Sequence, residues 1–557
     1  MKVMKNAIKA SLVLALAASS AFAQNIDDAK KAIDAEQYQK AKDVLKKLIT
    51  EKPAEPENYF FLGNVYLKTD YIDSAKATYN KGVAADAKNP LNYVGLGAVD
   101  LSANNTAAAK ANFDKAIELK KRKDELPLLY IGRAYIDTKK PDYTTAINYL
   151  EQAKALNEKN AEVYLALGDA HRAMKDNSAA YSDYRTAYDM DNKLLRAKVE
   201  LGVINKQSKA FKESADEFNS VLAIDPNYGP AYRELAETYY LWANAEPKEY
   251  DTRIKQALQY YEKYIDLTDK SLDSRMRHAD FLILAKDYKA LEAEAQAMSQ
   301  IDKTNPRIFR YLGYSAYENG NYAASEKAIQ EFINKVDSSR VIARDYLYLG
   351  KAQLKTDTTA NSKGFANLEK AVDMDSTIAD DMSDIAKELY TARKYGEAAR
   401  IYELATQSPK VPLLDYYYLG VSHYFDYGAK KTANLNPDKQ ILVQADSAFS
   451  KLLQRSPTTE QAILYRARIH RLMDDENDSQ GLAVPYYQQY VELVTVTRPE
   501  KAEKNKTQMV EAYTYLGSVS ARKDQDNAKA LEYFNKGLAL DPQNATLLEA
   551  KKAVSGS

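Results

Sequence analysis

The chain has no cysteine, and its 557 residues include only one tryptophan and four histidines. Without cysteine it has no disulfides, no thiolate zinc sites, no cysteine nucleophile and no lipidated N-terminal cysteine. The chain also has no net charge, since 78 basic side chains balance 78 acidic ones. A neutral chain has no overall field that attracts nucleic acid, so we expect no nucleic-acid partner.

Long apolar runs are also missing, because beyond residue 23 none reaches the roughly 20 residues that cross a bilayer. In residues 1–23, three lysines precede an apolar stretch that ends in Ala21-Phe22-Ala23. This order is typical of a secretory signal peptide with an A-x-A cleavage site. We therefore expect no transmembrane span and a periplasmic or secreted protein that begins at Gln24, the alternative being an uncleaved first helix.

The sequence does contain a repeat with a period of about 34 residues. A small residue recurs fourteen times between apolar neighbours at helical spacing, and we call these the small positions. They are Ala29, Gly63, Gly97, Gly132, Gly168, Gly202, Ala236, Ala279, Gly313, Gly350, Ala386, Gly420, Ala467 and Gly517. Glycine inside a helix costs about 1 kcal/mol relative to alanine, so its recurrence indicates that two helices approach closely there.

A second small residue follows in the next segment and is alanine in ten of the fourteen units, as at Ala41. Pro53 and Pro226 come after such second segments, whereas Pro90 and Pro306 open the next first segment. The alternation that is typical of β-strands is absent. The pattern predicts antiparallel pairs, each made of a first and a second helix.

The last unit has Leu516-Gly517, Ala530, Phe534 and Leu540-Asp541-Pro542 in sequence, and the unit from Leu201-Gly202 to Pro226 is similar. These units resemble the tetratricopeptide repeat family, and the resemblance covers residues 26–545. It implies an all-α, right-handed superhelical solenoid of about 14 helix-turn-helix units. It also implies an inner face, lined by first helices, that binds extended peptides or partner helices.

Fourteen units leave residues over, which predicts insertions. We expect them near residues 427–440, 474–484 and 497–508. A break near residues 268–273 predicts an N-terminal arc, residues 24–270, and a C-terminal arc, residues 271–550, with a C-terminal tail at 551–557. Because each repeat buries its apolar face only against its neighbours, the two arcs should form one solenoid.

Motifs for catalysis and metal binding are missing as well, including HExxH, a glycine-rich phosphate loop and a nucleophile elbow. The four histidines lie beside the small positions and are interpreted as packing residues. They are His171, His278, His423 and His470. The acidic run from Asp474 to Asp478 lacks the glycine turn and spaced ligands of a calcium loop. We expect no catalytic residues, no metal and no cofactor.

The residue one step after a small position turns about 100° away from its own helix pair and should line the inner face. In the C-terminal arc this face is predicted to be aromatic and basic, with partner-binding candidates Arg307, Arg310, Tyr314, Tyr317, Arg344, Lys351, Tyr390, Tyr417 and Tyr424. In the N-terminal arc it is predicted to carry Asp169, Glu234, Glu237 and Asp280, with Arg172 and Arg233 among them. The alternative is that the tyrosines only pack between neighbouring first helices.

Tyrosine and arginine together suit polypeptides that carry acidic and apolar groups. The sequence therefore predicts a non-enzymatic scaffold or adaptor in the cell envelope, with protein or peptide partners. Because tyrosine rings also stack on sugars, the alternative is a peptidoglycan- or glycan-binding protein for envelope maintenance. Self-association and the identity of the partner stay open.

Overall fold

The computed structural model describes residues 25–556, which contain 29 α-helices and no strand. The expected signal peptide, residues 1–23, lies outside the described residues. The described chain separates into two compact units, unit 1 at residues 25–303 and unit 2 at residues 304–556. The predicted fold class, an all-α repeat solenoid, is confirmed.

Unit 1 contains sixteen α-helices. They are α1 (Ile26–Asp34), α2 (Tyr38–Glu51), α3 (Pro56–Lys68), α4 (Ile72–Ala85), α5 (Leu91–Ser102), α6 (Thr106–Leu119), α7 (Leu126–Ile136), α8 (Tyr143–Leu156), α9 (Ala161–Ala173), α10 (Asn177–Met190), α11 (Leu195–Gln207), α12 (Phe211–Ile224), α13 (Gly229–Ala245), α14 (Tyr250–Leu267), α15 (Leu272–Leu284) and α16 (Tyr288–Ile301).

Unit 2 contains the other thirteen described helices. They are α17 (Pro306–Glu318), α18 (Tyr322–Lys335), α19 (Ala343–Thr356), α20 (Lys363–Met374), α21 (Met382–Thr391), α22 (Tyr395–Ala405), α23 (Leu413–Thr432), α24 (Gln440–Arg455), α25 (Glu460–Met473), α26 (Val484–Glu492), α27 (Lys506–Arg522), α28 (Asn527–Leu540) and α29 (Ala545–Ser555).

The helices alternate between two roles. Each odd-numbered helix up to α27 is the first helix of a pair and packs on the even-numbered helix that follows it. The described chain thus has fourteen pairs, followed by α29, which packs on α28. Within each unit most helices also pack on the next helix in sequence, as expected of a repeat protein.

The turn inside a pair is built in the same way in many units. A residue with positive φ reverses the chain, for example Asp70 (φ 62°), Asn104 (φ 58°) or Gly320 (φ 85°). Glycine adopts such a φ without strain because it has no Cβ, and asparagine and aspartate tolerate it because their short polar side chains can hydrogen-bond to the local backbone. The next residue caps the second helix, as Asn321 does when its side-chain oxygen accepts the backbone N–H of Ala324 at 3.3 Å.

The small positions make room for rings of the second helix. A Cβ added at Gly97 would lie 2.3 Å from Cε1 of Phe113, and one at Gly202 would lie 2.5 Å from Cε1 of Phe218. Both rings are fully buried. Burying an aromatic side chain contributes roughly 2 kcal/mol or more, which outweighs the cost of glycine in the first helix.

Extra residues in unit 2 lengthen one helix and close a loop. The first helix α23 has 20 residues and ends at Thr432, inside the segment predicted as an insertion. After α25, the buried carboxylate of Asp474 accepts backbone N–H groups of Asp475 (2.9 Å), Gln480 (3.2 Å) and Leu482 (3.1 Å). The acidic run therefore holds this loop in shape.

Candidate functional site

Neighbouring first helices within each unit meet in a fixed register. In five places the residue four positions after a small position contacts the residue two positions before the next small position. Two of these contacts are ion pairs of unit 1, Arg172 with Glu200 and Lys206 with Glu234. The other three are ring contacts of unit 2 at 5.3 to 5.5 Å between centroids, namely Tyr317 with Tyr348, Tyr390 with Tyr418, and Tyr424 with Tyr465. We call the surface formed by these unit 2 residues and their neighbours Arg310, Tyr314, Arg344, Lys351 and Tyr417 the aromatic face.

A buried carboxylate organises the start of the aromatic face. Asp345 is completely buried on α19, and it accepts Nε and Nη2 of Arg310 at 2.8 and 2.7 Å. It also accepts the hydroxyl of Tyr314 at 2.7 Å and the backbone N–H of Ile342 at 2.8 Å. Burial alone would lower the pKa of Arg310, but the hydrogen bonds and charge of Asp345 raise it. This arginine is therefore held as a cation.

Three tyrosines and a lysine form a stack next to that ion pair. Tyr314 stacks on Tyr348 with ring centroids 4.3 Å apart, and Tyr317 meets the same ring edge-on at 5.5 Å. The ammonium of Lys351 lies 4.5 Å from the centre of the Tyr317 ring and 5.2 Å from that of Tyr348. Tyr314 and Tyr348 are buried, whereas Tyr317 and Lys351 are half-buried. The stack therefore presents one ring and one cation on a rigid base.

The other two predicted cations lie at the edges of this cluster. Arg307, one turn before Arg310 on α17, is half-buried and donates to the hydroxyl of Tyr311 at 2.7 Å. Arg344 lies in the first turn of α19 and is exposed. The structure thus brings Arg310, Tyr314, Tyr317 and Lys351 together and places Arg307 and Arg344 beside them.

The predicted tyrosines further along the chain form a second group. Tyr390 meets Tyr418 at 5.3 Å, and Tyr418 meets Tyr417 at 5.6 Å. Tyr417 and Tyr424 both contact Tyr465, at 6.1 and 5.3 Å. Burial raises the pKa of Tyr417 to about 12, so its hydroxyl is neutral at physiological pH.

A charged pair closes this second group. Arg468 donates Nε and Nη2 to the two carboxylate oxygens of Glu511 at 2.9 and 2.6 Å, while its guanidinium lies 5.6 Å from the centre of the Tyr465 ring. The hydroxyl of Tyr487 donates to the same carboxylate at 2.8 Å. Burial alone would raise the pKa of Glu511, but the bonds and charge of Arg468 lower it. The ion pair thus holds the Arg468 guanidinium beside the Tyr465 ring.

The corresponding surface of unit 1 is internally neutralised. Asp169 accepts Nη2 of Arg196 at 2.8 and 2.7 Å, and Glu237 accepts two nitrogens of Arg277 at 2.8 and 2.7 Å. Asp280 lies 3.8 Å from Nη1 of the same Arg277. The carboxylates that the sequence predicted for this face are thus each paired with a basic side chain.

Sequence reasoning missed the residues that join the predicted ones. Asp345, Tyr348 and Tyr465 lie five, two and two places before their small positions, and none of them was among the predicted residues. The signal was present in the register, because one first helix meets the next through residues on opposite sides of the small position. A search for matched residue types at those two places would have found Tyr317 with Tyr348 and Tyr424 with Tyr465.

The histidines serve packing and pairing. Three of them lie near a carboxylate on a second helix. His171 Nδ1 is 2.7 Å from Asp183 and His278 Nδ1 is 3.6 Å from Glu294, both within their own pair, whereas His470 Nε2 is 3.2 Å from Asp446 on α24, the second helix of the preceding pair. His423 is buried, and burial lowers its pKa to about 4. Within residues 25–556 no group of three or more His, Cys, Asp or Glu side chains is arranged to hold a metal ion.

Among residues 25–556, no helix combines the length and the apolar character that crossing a bilayer requires.

Two stretches of the chain match family models described as tetratricopeptide repeat, residues 32–97 and residues 161–194. The first stretch begins in α1 and ends in α5, and the second covers α9 and α10. No curated protein matches the chain.

Several solved structures are similar to parts of the chain. The C-terminal part of a TPR repeat-containing protein from Cytophaga hutchinsonii is 26% identical, over 49% of this chain and 98% of that one, with a TM-score of 0.31. The human IFIT1 dimer with PPP-AAAA is 14% identical, over 54% and 69%, with a TM-score of 0.35. YrrB, described as a TPR protein with an unusual peptide-binding site, is 20% identical, over 34% and 95%, with a TM-score of 0.22.

Because these TM-scores are low, the assignment rests on the family matches and on the helix pairs. The matched pairs have the same small positions and the same turns as unmatched pairs in both units. The chain contains tetratricopeptide repeats, matched at residues 32–97 and 161–194, and its described part is an all-α repeat solenoid, an architecture that supports a scaffold for protein interaction.

Proposed function

We propose that this chain is a non-enzymatic adaptor of the cell envelope that binds polypeptide segments on the aromatic face of unit 2. The observation that carries the proposal is the set of three tyrosine pairs between neighbouring first helices of unit 2, Tyr317 with Tyr348, Tyr390 with Tyr418 and Tyr424 with Tyr465. A cation, Lys351, lies beside the first of these pairs, whereas the same register in unit 1 includes two ion pairs.

Rigid rings favour binding, because a tyrosine presents a large contact area while losing little side-chain entropy. On the aromatic face, Tyr314 and Tyr348 are already fixed by Asp345 and by Glu318, which accepts the Tyr348 hydroxyl at 2.7 Å. A ligand would therefore meet an ordered surface and would not have to order it. This pre-organisation is what lets a few residues supply most of the affinity.

The charges on this face indicate the kind of segment that binds. Arg344 is exposed, and Lys351 is half-buried against Tyr317. Cations beside rings suit a segment in which aspartate or glutamate alternates with apolar residues, since carboxylates pair with the cations and the apolar groups cover the rings. We therefore propose acidic, partly apolar polypeptide segments as the ligands.

The envelope location rests on the N-terminal sequence. Lysines, an apolar stretch and Ala21-Phe22-Ala23 support export and cleavage before Gln24. The absence of cysteine from the whole sequence agrees with a protein that needs no disulfides in an oxidising compartment.

Selection of peptides from a phage-displayed library on the protein from Gln24 onward tests the proposal. We expect the selected peptides to be rich in acidic and apolar residues. Their affinity, measured by fluorescence anisotropy, should fall at least tenfold in the variant that combines Arg344→Glu with Lys351→Glu, since both changes replace attraction by repulsion.

The matched control carries the same charge change on second helices, Lys327→Glu with Lys363→Glu, at two exposed positions of unit 2. It should bind within twofold of the unchanged protein. Equal binding by both variants, with unchanged melting temperatures, would exclude the aromatic face as the binding site. Binding of soluble peptidoglycan fragments in place of peptides would support the glycan alternative instead.

A further inference from the structure

The turn between α1 and α2 lies against α13 and α14, far away in the sequence. Tyr228 donates its hydroxyl to Asp34 at 2.8 Å, across 194 residues. Arg233 bonds the carboxylate of Glu36, and Tyr264 donates its hydroxyl to the same carboxylate at 2.9 Å. We call residues 34–36 the acidic turn. Its two carboxylates are thus each held by groups from the seventh helix pair.

Ala35, the middle residue of the acidic turn, packs into an apolar cluster. Ala35 is 8% exposed and packs with Val199, Ala231 and Leu235. A Cβ added at Gly229 would lie 3.3 Å from the carbonyl oxygen of Ala35, so the glycine lets the turn approach the backbone closely. We call Tyr228, Gly229, Arg233 and Tyr264 the docking surface.

Docking is a property of this turn and not of the repeat. Ala35 stands six places after its small position, where other units have Thr69, Ala103 and Ser208. Thr69 is half-buried, and Ala103 and Ser208 are exposed. The local backbone is shared, since Glu36 has the same positive φ (58°) as Asn104. The contact therefore comes from the residues of the acidic turn and of the docking surface.

Positive charge surrounds the buried end of the acidic turn. Burial raises the pKa of Asp34, while the Tyr228 hydrogen bond and the charges of Arg196 and Arg133 oppose that rise and Glu162 adds to it. On the other side Asp269 accepts the backbone N–H of Gln39 at 2.7 Å. The docking surface thus offers two hydroxyl donors and arginine charge to a pair of carboxylates.

We propose that the docking surface is a second polypeptide-binding site, in unit 1, for an acidic segment with two carboxylates two residues apart. In this structure the chain's own acidic turn occupies the site as an internal ligand. A partner segment with the same spacing competes for the same hydroxyls and the same arginine, and it releases the turn between α1 and α2.

The exchange is feasible because both occupants make the same bonds. The pair of Arg233 with Glu36 is half-buried, and such a pair contributes little net stability, since the loss of water from each charge offsets much of their attraction. A competing segment that restores those bonds therefore leaves Arg233 paired. The acidic turn has one advantage over a partner segment. It is covalently part of the chain, which raises its effective concentration at the docking surface.

A reversible disulfide tests the proposal, and because the chain has no native cysteine, no other thiol can react. The variant combines Gln39→Cys with Asp269→Cys, two exposed positions that lie close together, since the Asp269 carboxylate accepts the backbone N–H of Gln39. The probe is a fluorescein-labelled peptide with the sequence of residues 30–40, which contains Asp34 and Glu36. We expect the reduced protein to bind it at least tenfold more tightly than the oxidised protein, and reduction to restore binding.

Two controls separate this site from a general effect of the disulfide. The D34N, E36Q version of the peptide should bind at least tenfold more weakly, and Arg233→Met should weaken binding of the original peptide to the reduced protein. Peptides selected on the aromatic face should bind equally to the oxidised and reduced forms. If those peptides bind neither form, that result counts against the proposed function of unit 2 and not against the docking surface.

Three results would overturn the proposal. The first is that the disulfide does not form under oxidation in a protein with an unchanged melting temperature, because the turn would then not occupy the site. The second is equal binding of the probe by both redox forms. The third is no binding by the reduced form.

Discussion

Arg310 and Asp345 lie 35 residues apart in neighbouring first helices and form a two-point ion pair whose carboxylate is completely buried. The same carboxylate accepts the hydroxyl of Tyr314, and Tyr314 in turn stacks on Tyr348. One buried acid thus positions both a cation and a ring of the aromatic face.

Replacing this acid should destabilise unit 2. In Asp345→Asn the guanidinium of Arg310 keeps its charge but loses its counter-ion, and removing one partner of a buried pair costs roughly 3 kcal/mol or more. We expect a lower midpoint in urea unfolding and weaker binding of peptides selected on the aromatic face. Glu369→Gln is the control, because its pair with Arg400 is about 40% exposed on both sides and should contribute at most about 1 kcal/mol. A midpoint that falls equally in both variants would contradict the role of Asp345.

Helix α23 carries two glycines that should respond in opposite ways to alanine. A Cβ at Gly420 would lie 2.6 Å from Cε2 of the buried Phe449 ring, whereas nothing lies within 4 Å of a Cβ at Gly428. Gly420→Ala should therefore cost about 1 to 3 kcal/mol by overpacking. Gly428→Ala should stabilise by up to about 1 kcal/mol, since alanine favours helix. Equal effects in chemical denaturation would argue against ring insertion at the small positions.

His423 should make unit 2 sensitive to mild acid. Its burial lowers the pKa from 6.5 to about 4, an effect that Asp426 opposes and Lys430 adds to. The unfolded chain therefore takes up the proton first, and stability should fall as pH decreases from about 6.5 to about 4, by up to about 3 kcal/mol.

The matched variant for this effect is His423→Tyr, because tyrosine stands three places after the small position at Tyr66, Tyr135 and Tyr239. Thermal unfolding at a series of pH values should show a smaller loss between pH 6.5 and 4 in the variant. Parallel curves for the two proteins would show that His423 is not the group responsible.

Export should leave a defined N-terminus. Small residues at Ala21 and Ala23 match the preference of a cleavage site, so protein from the envelope fraction should begin at Gln24. N-terminal sequencing or intact-mass measurement checks this, with Ala23→Arg as a variant that should accumulate uncleaved. A wild-type protein that retains Met1 would contradict the proposed location.

The helix pairs could be predicted from the sequence because their cause is local. A glycine in an apolar helical stripe needs a compensating contact, and Gly97 has one in the Phe113 ring. The turn signal is local too, since Asn321 caps its helix from within the same pair. For these features the residues within one unit contain the whole physical argument.

The aromatic face could be predicted only in part. Tyr317 and Lys351 follow small positions and were predicted, whereas Tyr348 and Asp345 precede them and were not. Their roles depend on how one first helix registers with the next, which a single unit does not contain. The contact of Glu36 with Arg233 could not be predicted from any local pattern, because 197 residues separate the two partners.

Photo-crosslinking tests the central claim, binding on the aromatic face, most directly. A p-benzoyl-phenylalanine at Tyr317 or Tyr424 stands on that face, and one at Tyr533 stands on the second helix α28 as the control. With a peptide selected on the full protein, we predict crosslinks from positions 317 and 424 and none from 533. Crosslinks from position 533 alone, or equal yields from all three positions, would contradict the account.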